Sequence, residues 1–270
     1  MRRSDLLILF DIDGTLIRGA GPQHKEALIA GIRRVTGLST TLDGVPTSGM
    51  LDRDLIRSAM RASGCSARRI SALLPQIVRE SERAYLKNCP KDLRSKVCPG
   101  APELLPSLKQ RDCVLGLVSG NIAGIAWKKM ECAGLRQYFS VAAFSEDGAT
   151  RAMLAKAAVQ LALRKRLVTE PLRVVLVGDH PNDIQAAKWN GFGSVAVATG
   201  LISAEDLASC EPNILVRNLA ELDVERFLDG INAALSKAVL DAYPISGELK
   251  LRTSRSWVLR ELSQARFRPT

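Results

Sequence analysis

The 270-residue chain is short of several things, and each shortage removes a class of function. Aromatic side chains make up only 4% of it, too few for a platform that stacks nucleic-acid bases. No apolar stretch approaches the roughly 18–20 residues that span a bilayer, so no membrane segment is expected. The basic opening, Met1 to Asp5, leads into five apolar residues that run straight into acids. A signal peptide needs a longer apolar region and a small-residue cleavage site, so an exported precursor is not expected. The six cysteines (Cys65, Cys89, Cys98, Cys113, Cys132, Cys210) form no CxxC pair and keep no regular spacing. Several lie in apolar segments, which reads as buried free thiols in a reducing cytoplasm rather than disulfides or zinc ligands.

Hydrophobic residues, at 46%, suffice for a sizeable core in one or two domains. The net charge of +10 is spread along the chain. It therefore reads as solvated helix surface with some attraction for anionic substrates, not as a nucleic-acid footprint. The most informative stretch is Leu6–Leu16, LLILFDIDGTL. A continuous apolar run ending in a Gly turn reads as a buried strand. It delivers Asp11 and Asp13 to one strand end, where two acids require a cation or a shared proton.

After this strand the pattern turns helical. Leu28, Ile32 and Val35 fall at helical spacing and Gly37 stops that helix; Leu51–Ala62 and Ala67–Asn88 follow, with Pro75 expected to break or kink the latter. No strand is expected between residues 20 and 92. Beyond Cys98 the chain alternates. Helix Pro102–Arg111 precedes strand Cys113–Val118, then helix Ile122–Ala133, strand Tyr138–Phe144 and helix Thr150–Leu167. Strand Arg173–Val177, a helix to Asn190 and strand Ser194–Ala198 complete the series, with smaller elements to Leu228. Such alternation predicts an α/β fold with a doubly wound parallel sheet, whose ligands bind at the carboxyl ends of the strands.

Three of the buried strands end in small or acidic polar groups: Asp11 and Asp13, Ser119 and Asn121, Asp179 and Asp183. Each could cap a helix. Taken together they are chemically complementary and point to one site. Clustered hard oxygen ligands suit Mg²⁺, and a carboxylate can attack phosphorus, which makes phosphoryl transfer the expected chemistry.

These residues resemble the haloacid dehalogenase superfamily, in its phosphoglycolate-phosphatase-like branch. Its first motif, DxDGT, stands as Asp11-Ile12-Asp13-Gly14-Thr15. The resemblance implies Asp11 as nucleophile and Asp13 as general acid/base, with the Asp13 carbonyl also lent to Mg²⁺. The second motif matches VLGLVSGN, so Ser119 would bind the phosphoryl group, helped by the amides of Gly120 and Asn121. GDxxxD matches Gly178–Asp183, giving Asp179 and Asp183 as metal groups. The third-motif Lys is missing; Arg151 is its expected substitute and Lys156 the runner-up. His180 replaces a common Thr or Ser and is read as lining the site rather than catalytic.

The resemblance also divides the chain. Residues 1–19 and 93–230 would form a Rossmann-like core and 20–92 a helical type 1 cap; beyond about 230 the resemblance fades, and 231–270 reads as a basic extension of helical pattern. In the cap, Thr47–Arg53 resembles a substrate-specificity loop, with Ser48, Gly49, Asp52 and Arg53 as candidate residues. Arg53 would meet an anionic leaving group or stay a first-turn surface residue, and His24 reads as solvated or core-edge. The implied activity is Mg²⁺-dependent hydrolysis of a small phosphorylated metabolite by a cytoplasmic monomer or homodimer. The alternatives are a sugar-phosphate mutase and a non-catalytic binding protein on the same scaffold.

Overall fold

Strand β1, Ser4–Phe10, alternates its side chains between two faces, and both are buried. The computed structural model describes residues 4–228 apart from Pro46 and Arg226. Within them, β1 lies near the middle of a six-stranded parallel sheet with β2 (Val114–Val118), β3 (Val141–Ala143), β4 (Val168–Gly178), β5 (Gly193–Val197) and β6 (Ile214–Val216). The strand order is β3-β2-β1-β4-β5-β6. The chain therefore builds outward from β1 to one side and then returns to build the other. That reversal puts a switch point between β1 and β4, where open α/β sheets place their ligands.

Ile8 and Phe10 face helices α4 (Ala101–Gln110) and α5 (Ala123–Cys132), through Leu104, Leu105, Ala126 and Met130. Leu7 and Leu9 face α6 (Arg151–Arg164) and α7 (Pro181–Asn190), through Leu154, Ala158 and Ala187. A doubly covered strand explains the unbroken apolar run. The doubly wound parallel sheet expected from the sequence is the observed one.

Between β1 and β2 stand α1 (Gln23–Thr36), α2 (Asp52–Ala62) and α3 (Ala67–Asn88), and the described residues there include no named strand. These helices share a cluster of their own, with Leu28, Ile32, Leu55, Ile56, Ile77 and Tyr85, which also takes in Ile122 and Ile125 at the start of α5. Gly31 sits mid-helix because a Cβ there would collide with Ser81 on α3. Two local details differ from expectation: of the break or kink expected at Pro75 the break does not occur, and the third strand is shortened. Pro75 does not end α3, which runs unbroken past it. Pro75 and Ser71, whose carbonyl it leaves unpaired, both lie on the exposed side, where water can satisfy that carbonyl. The third strand is shorter than Tyr138–Phe144, because Arg136–Tyr138 forms a 3-10 turn that consumes its start.

All six cysteines are free thiols, with Cys98, Cys113 and Cys132 buried. No helix among the described residues is long and apolar enough to cross a membrane. The expected basic extension over 231–270 lies outside the described residues.

Candidate active site

Asp11 follows the last residue of β1, and its N–H donates to the Val177 carbonyl of β4 at 2.9 Å. The chain then turns tightly: the N–H groups of Thr15, Leu16 and Ile17 all converge on the Ile12 carbonyl. Gly14 takes φ +92°, and a Cβ there would overlap the Asp179 carboxylate. Thr15 Oγ1 donates to Asp179 Oδ1 at 2.9 Å, tying the first strand's turn to the end of β4. Gly14→Ala is therefore expected to cost about 1–2 kcal/mol from backbone strain alone. It should also displace Asp179, so a thermal melt and an activity assay on that variant should both fall.

Arg151, the first residue of α6, is buried, and Thr150 caps the helix by accepting from Met153 N. Its Nη1 donates to Asp11 Oδ1 at 2.9 Å and to the Val118 carbonyl at 3.0 Å. Its Nε stands 3.2 Å from Asp183 Oδ1. Asp11, Asp179 and Asp183 each place a carboxylate oxygen so that all three lie within 4.8 Å of one another. Three buried carboxylates and one guanidinium leave two negative charges unbalanced. Burial, then the charges of Asp11 and Asp183, push Asp179 up to about 8. Burial raises Asp183 to about 7 although Arg151 opposes the shift.

This donor set fits a hard divalent cation, which takes oxygen ligands and supplies the missing positive charge. Asp183 Oδ1 makes no hydrogen bond despite its burial and has only the ion pair with Arg151, so it retains lone pairs for a ligand. The sign of the pH effect follows. Carboxyl groups raised in the folded state contribute stability that is present below their unfolded value near 4 and is lost as pH rises through 7–8. Metal-free protein should lose melting temperature over that window, and added Mg²⁺ should raise it more at pH 8 than at pH 6. Equal Mg²⁺ shifts at the two pH values in calorimetry would contradict the assignment.

Asp13 points the other way. Its side chain keeps 43% of its surface exposed, while the ammonium of Lys129, only 2% exposed, lies against both its oxygens at 2.8 and 2.7 Å. Asn121 Nδ2 donates to Asp13 Oδ2 and to Ser119 Oγ, both at 2.7 Å. Burial works to raise the Asp13 carboxyl, but Lys129, His24 and Asn121 together hold it below the ordinary value.

Comparison with known proteins places this geometry. Residues 6–191 match the family model described as haloacid dehalogenase-like hydrolase. The chain belongs to that family. A phosphoglycolate phosphatase of Synechococcus elongatus is 27% identical over 217 residues, covering 80% of this chain and 94% of that protein. An N-acetylmuramic acid 6-phosphate phosphatase of Pseudomonas aeruginosa is 28% identical over 202 residues, covering 74% and 84%. Among solved structures, a β-phosphoglucomutase of Clostridium difficile shares the fold at TM-score 0.63 and 17% identity, over 86% of this chain and 99% of that one. Relatives by sequence are thus phosphatases, in line with the phosphoric monoester hydrolase expected from the motifs.

Within this haloacid dehalogenase-like frame, the expected residues fall into two groups around the end of β1. Asp11, Arg151, Asp179 and Asp183 meet in one; Asp13, Ser119 and Asn121 meet in the other. Lys156 lies a turn and a half along α6, and the cation on Asp11 is Arg151. His180 caps α7: its Nδ1 accepts from Asn182 N at 3.2 Å, and its own N–H donates to Asp183 Oδ2 at 3.3 Å. Burial and then Arg151 lower its pKa. Of the Thr47–Arg53 loop, Gly49 passes over the His180 ring and its carbonyl accepts from Asn182 Nδ2 at 2.9 Å. Ser48 is half-buried beside it.

Arg53 donates to the carbonyls of Ser145 and Glu146, at 3.3 and 3.4 Å, and so ties α2 to the loop after β3. Asp52 is buried, accepting from Ile122 N at 2.7 Å and pairing with His24 Nε2 at 2.8 Å. His24 thus sits at the core edge, held in this network. Sequence reasoning missed Lys129 altogether. The available signal was its spacing: Ile122, Ile125, Ala126, Lys129, Met130 and Ala133 recur at helical intervals, which sets a lysine on the buried stripe of α5.

Proposed function

We propose that the protein is a Mg²⁺-dependent phosphatase acting on a small phosphorylated metabolite through a phosphoryl-aspartate at Asp11. The observation that carries this reading is the split at the end of β1. One carboxylate, Asp11, is buried among cationic and metal-ligating groups, and the other, Asp13, is turned away onto Lys129 and Asn121. Asp11, Asp179 and Asp183 would hold the cation, with the Asp13 carbonyl as a further donor. Bound Mg²⁺ supplies charge neutralisation between the attacking carboxylate and the anionic substrate.

Asp11 Oδ attacks phosphorus while the ester P–O bond breaks, and Asp13, having first taken up a proton from solvent, passes it to the departing alkoxide. Asp13 then takes a proton from water as that water attacks the phosphorus. The Asp11–phosphorus bond breaks, and inorganic phosphate and the original carboxylate are restored. Arg151 orients Asp11 through the Nη1 hydrogen bond, and Ser119 Oγ with the amides after it would face the phosphoryl oxygens. A mutase would use the same steps but needs a sugar-phosphate anchor above the site. Arg53, the cation that the sequence offers there, turns its Nη1 to two backbone carbonyls. The experiment is phosphate release from a panel of esters with Mg²⁺ and with chelator. Metal-dependent release from small esters is expected, and none from any ester overturns the reading.

A further inference from the structure

Helices α3 and α5 run side by side to a common end. A Cβ on Gly124, in the first turn of α5, would overlap the Glu82 carboxylate of α3. About two turns further along each helix, α3 gives way to its cap residue Cys89 and α5 ends on Cys132. The chain leaving α3 passes the same place, because the Leu93 N–H donates to the Cys132 carbonyl at 2.9 Å. At this junction the two thiols meet as hydrogen-bonding neighbours. Cys89 Sγ donates to the Leu86 carbonyl at 3.6 Å, which leaves its lone pairs to the Cys132 thiol. Cys132 is buried and Cys89 half-buried.

Two small apolar residues would fill this seam equally well, since a free cysteine packs as a small hydrophobe. What marks the pair is the charge beside it. Lys128, on α5, acts on both sulfurs and is paired with Glu131 at 3.2 Å. Burial raises the Cys132 thiol, and the Lys128 ammonium opposes that rise. An ammonium next to a partly accessible dithiol favours the thiolate, the form that reacts.

We propose that Cys89 and Cys132 are a redox site, a dithiol that closes to a disulfide on meeting a low-molecular-weight disulfide such as oxidised glutathione. The Cys89 thiolate, the more accessible of the two, attacks one glutathione sulfur; the glutathione S–S bond breaks and one glutathione thiolate leaves. Cys132 gives its proton to solvent, its sulfur attacks the Cys89 sulfur of the mixed disulfide, and the second glutathione thiolate departs. Two electrons pass from the cysteine pair to glutathione, and the departing thiolates take up the two protons released. The new bond braces the junction at which the chain returns from α3 to the sheet. This site is independent of the phosphatase reading.

The test is incubation of the full-length protein with oxidised glutathione, capture of the remaining thiols with N-ethylmaleimide, and tryptic peptide mass spectrometry. The expected product is peptide 88–91 joined to peptide 130–136, two hydrogens lighter than their sum and lost on treatment with dithiothreitol. The oxidised protein should melt about 5 °C above the reduced form, as a covalent brace across the loop from Cys89 to Cys132 implies. Cys89→Ser, at the more exposed position, should show neither the linked peptide nor the shift; Cys132→Ala serves if that variant does not fold. A glutathione adduct that stays on Cys89, linkage through any other cysteine, or recovery of both thiols as maleimide adducts overturns the proposal. So does linked protein that melts no higher, or a melting shift that persists in Cys89→Ser.

Discussion

Asp11→Asn is expected to lower phosphate release by about 10⁴-fold or more, at unchanged fold, because an amide oxygen is no nucleophile toward phosphorus. The substitution is nearly isosteric, and its Oδ1 can still accept from Arg151 Nη1, so the guanidinium keeps its partner. It also removes one of three mutually repelling carboxylates, and after burial the charge of Asp11 is part of what raises Asp179. The variant should therefore melt no lower than wild type in the absence of metal, while losing Mg²⁺ stabilisation. Full activity in Asp11→Asn would remove the basis for covalent catalysis here. A collapse in melting temperature would show that the carboxylate is structural.

The second large effect is expected at Arg151. Among the described residues this side chain is the one cation paired with both Asp11 and Asp183, and it also donates to the Val118 carbonyl at the end of β2. Arg151→Met leaves buried carboxylates without a partner, a change that typically costs about 3–5 kcal/mol. Part of that loss is relieved by protonation of Asp183, whose pKa Arg151 now holds down, so the variant's stability should fall more steeply with rising pH than the wild type's. Activity should drop about 10²–10³-fold, as for loss of one preorganised charge donor. Arg151→Lys restores the charge but not the forked geometry, and should recover most of the stability and part of the activity. If Arg151→Met and wild type hydrolyse esters equally, the group opposite Asp11 lies elsewhere.

Both arguments depend on how much of this centre is legible along the chain. The doubly wound sheet can be read from buried apolar strands alternating with helices, since burial on both faces leaves continuous Val, Ile and Leu runs such as Leu6–Phe10 and Val174–Val177. The strand-end acids can be read for the same reason, because a run that stops at Asp-Gly or Gly-Asp marks where the sheet meets solvent. Arg151 is legible from its place just after the Thr150 helix cap. Pro75 misleads because local propensity expects a break. A helix held by its apolar face tolerates a proline on the wet side.

Lys129, His24 and Asp52 are harder to see for another reason. They lie up to 105 residues apart, and each has a bland local reading as a helix-surface charge, a helix-start histidine or a first-turn acid. Only the packing of α1 and α2 against α5 turns them into one buried network. Nothing local announces a long-range polar circuit, whereas a strand end or a helix cap announces itself in a few residues. The proposed division of labour between Asp11 and Asp13 draws on that circuit as much as on the motif. Lys129 and Asn121 hold one carboxylate, and Arg151 holds the other in the cluster with Asp179 and Asp183.

The most direct test of that division is to trap the intermediate. Asp13→Asn, lacking the base for the second step, should still accept a phosphoryl group from p-nitrophenyl phosphate and release nitrophenolate in a burst. Acid quenching followed by peptide mass spectrometry should then place one phosphoryl group on Asp11. Steady phosphate release with no phosphorylated peptide, or a phosphoryl group on any other residue, would contradict it.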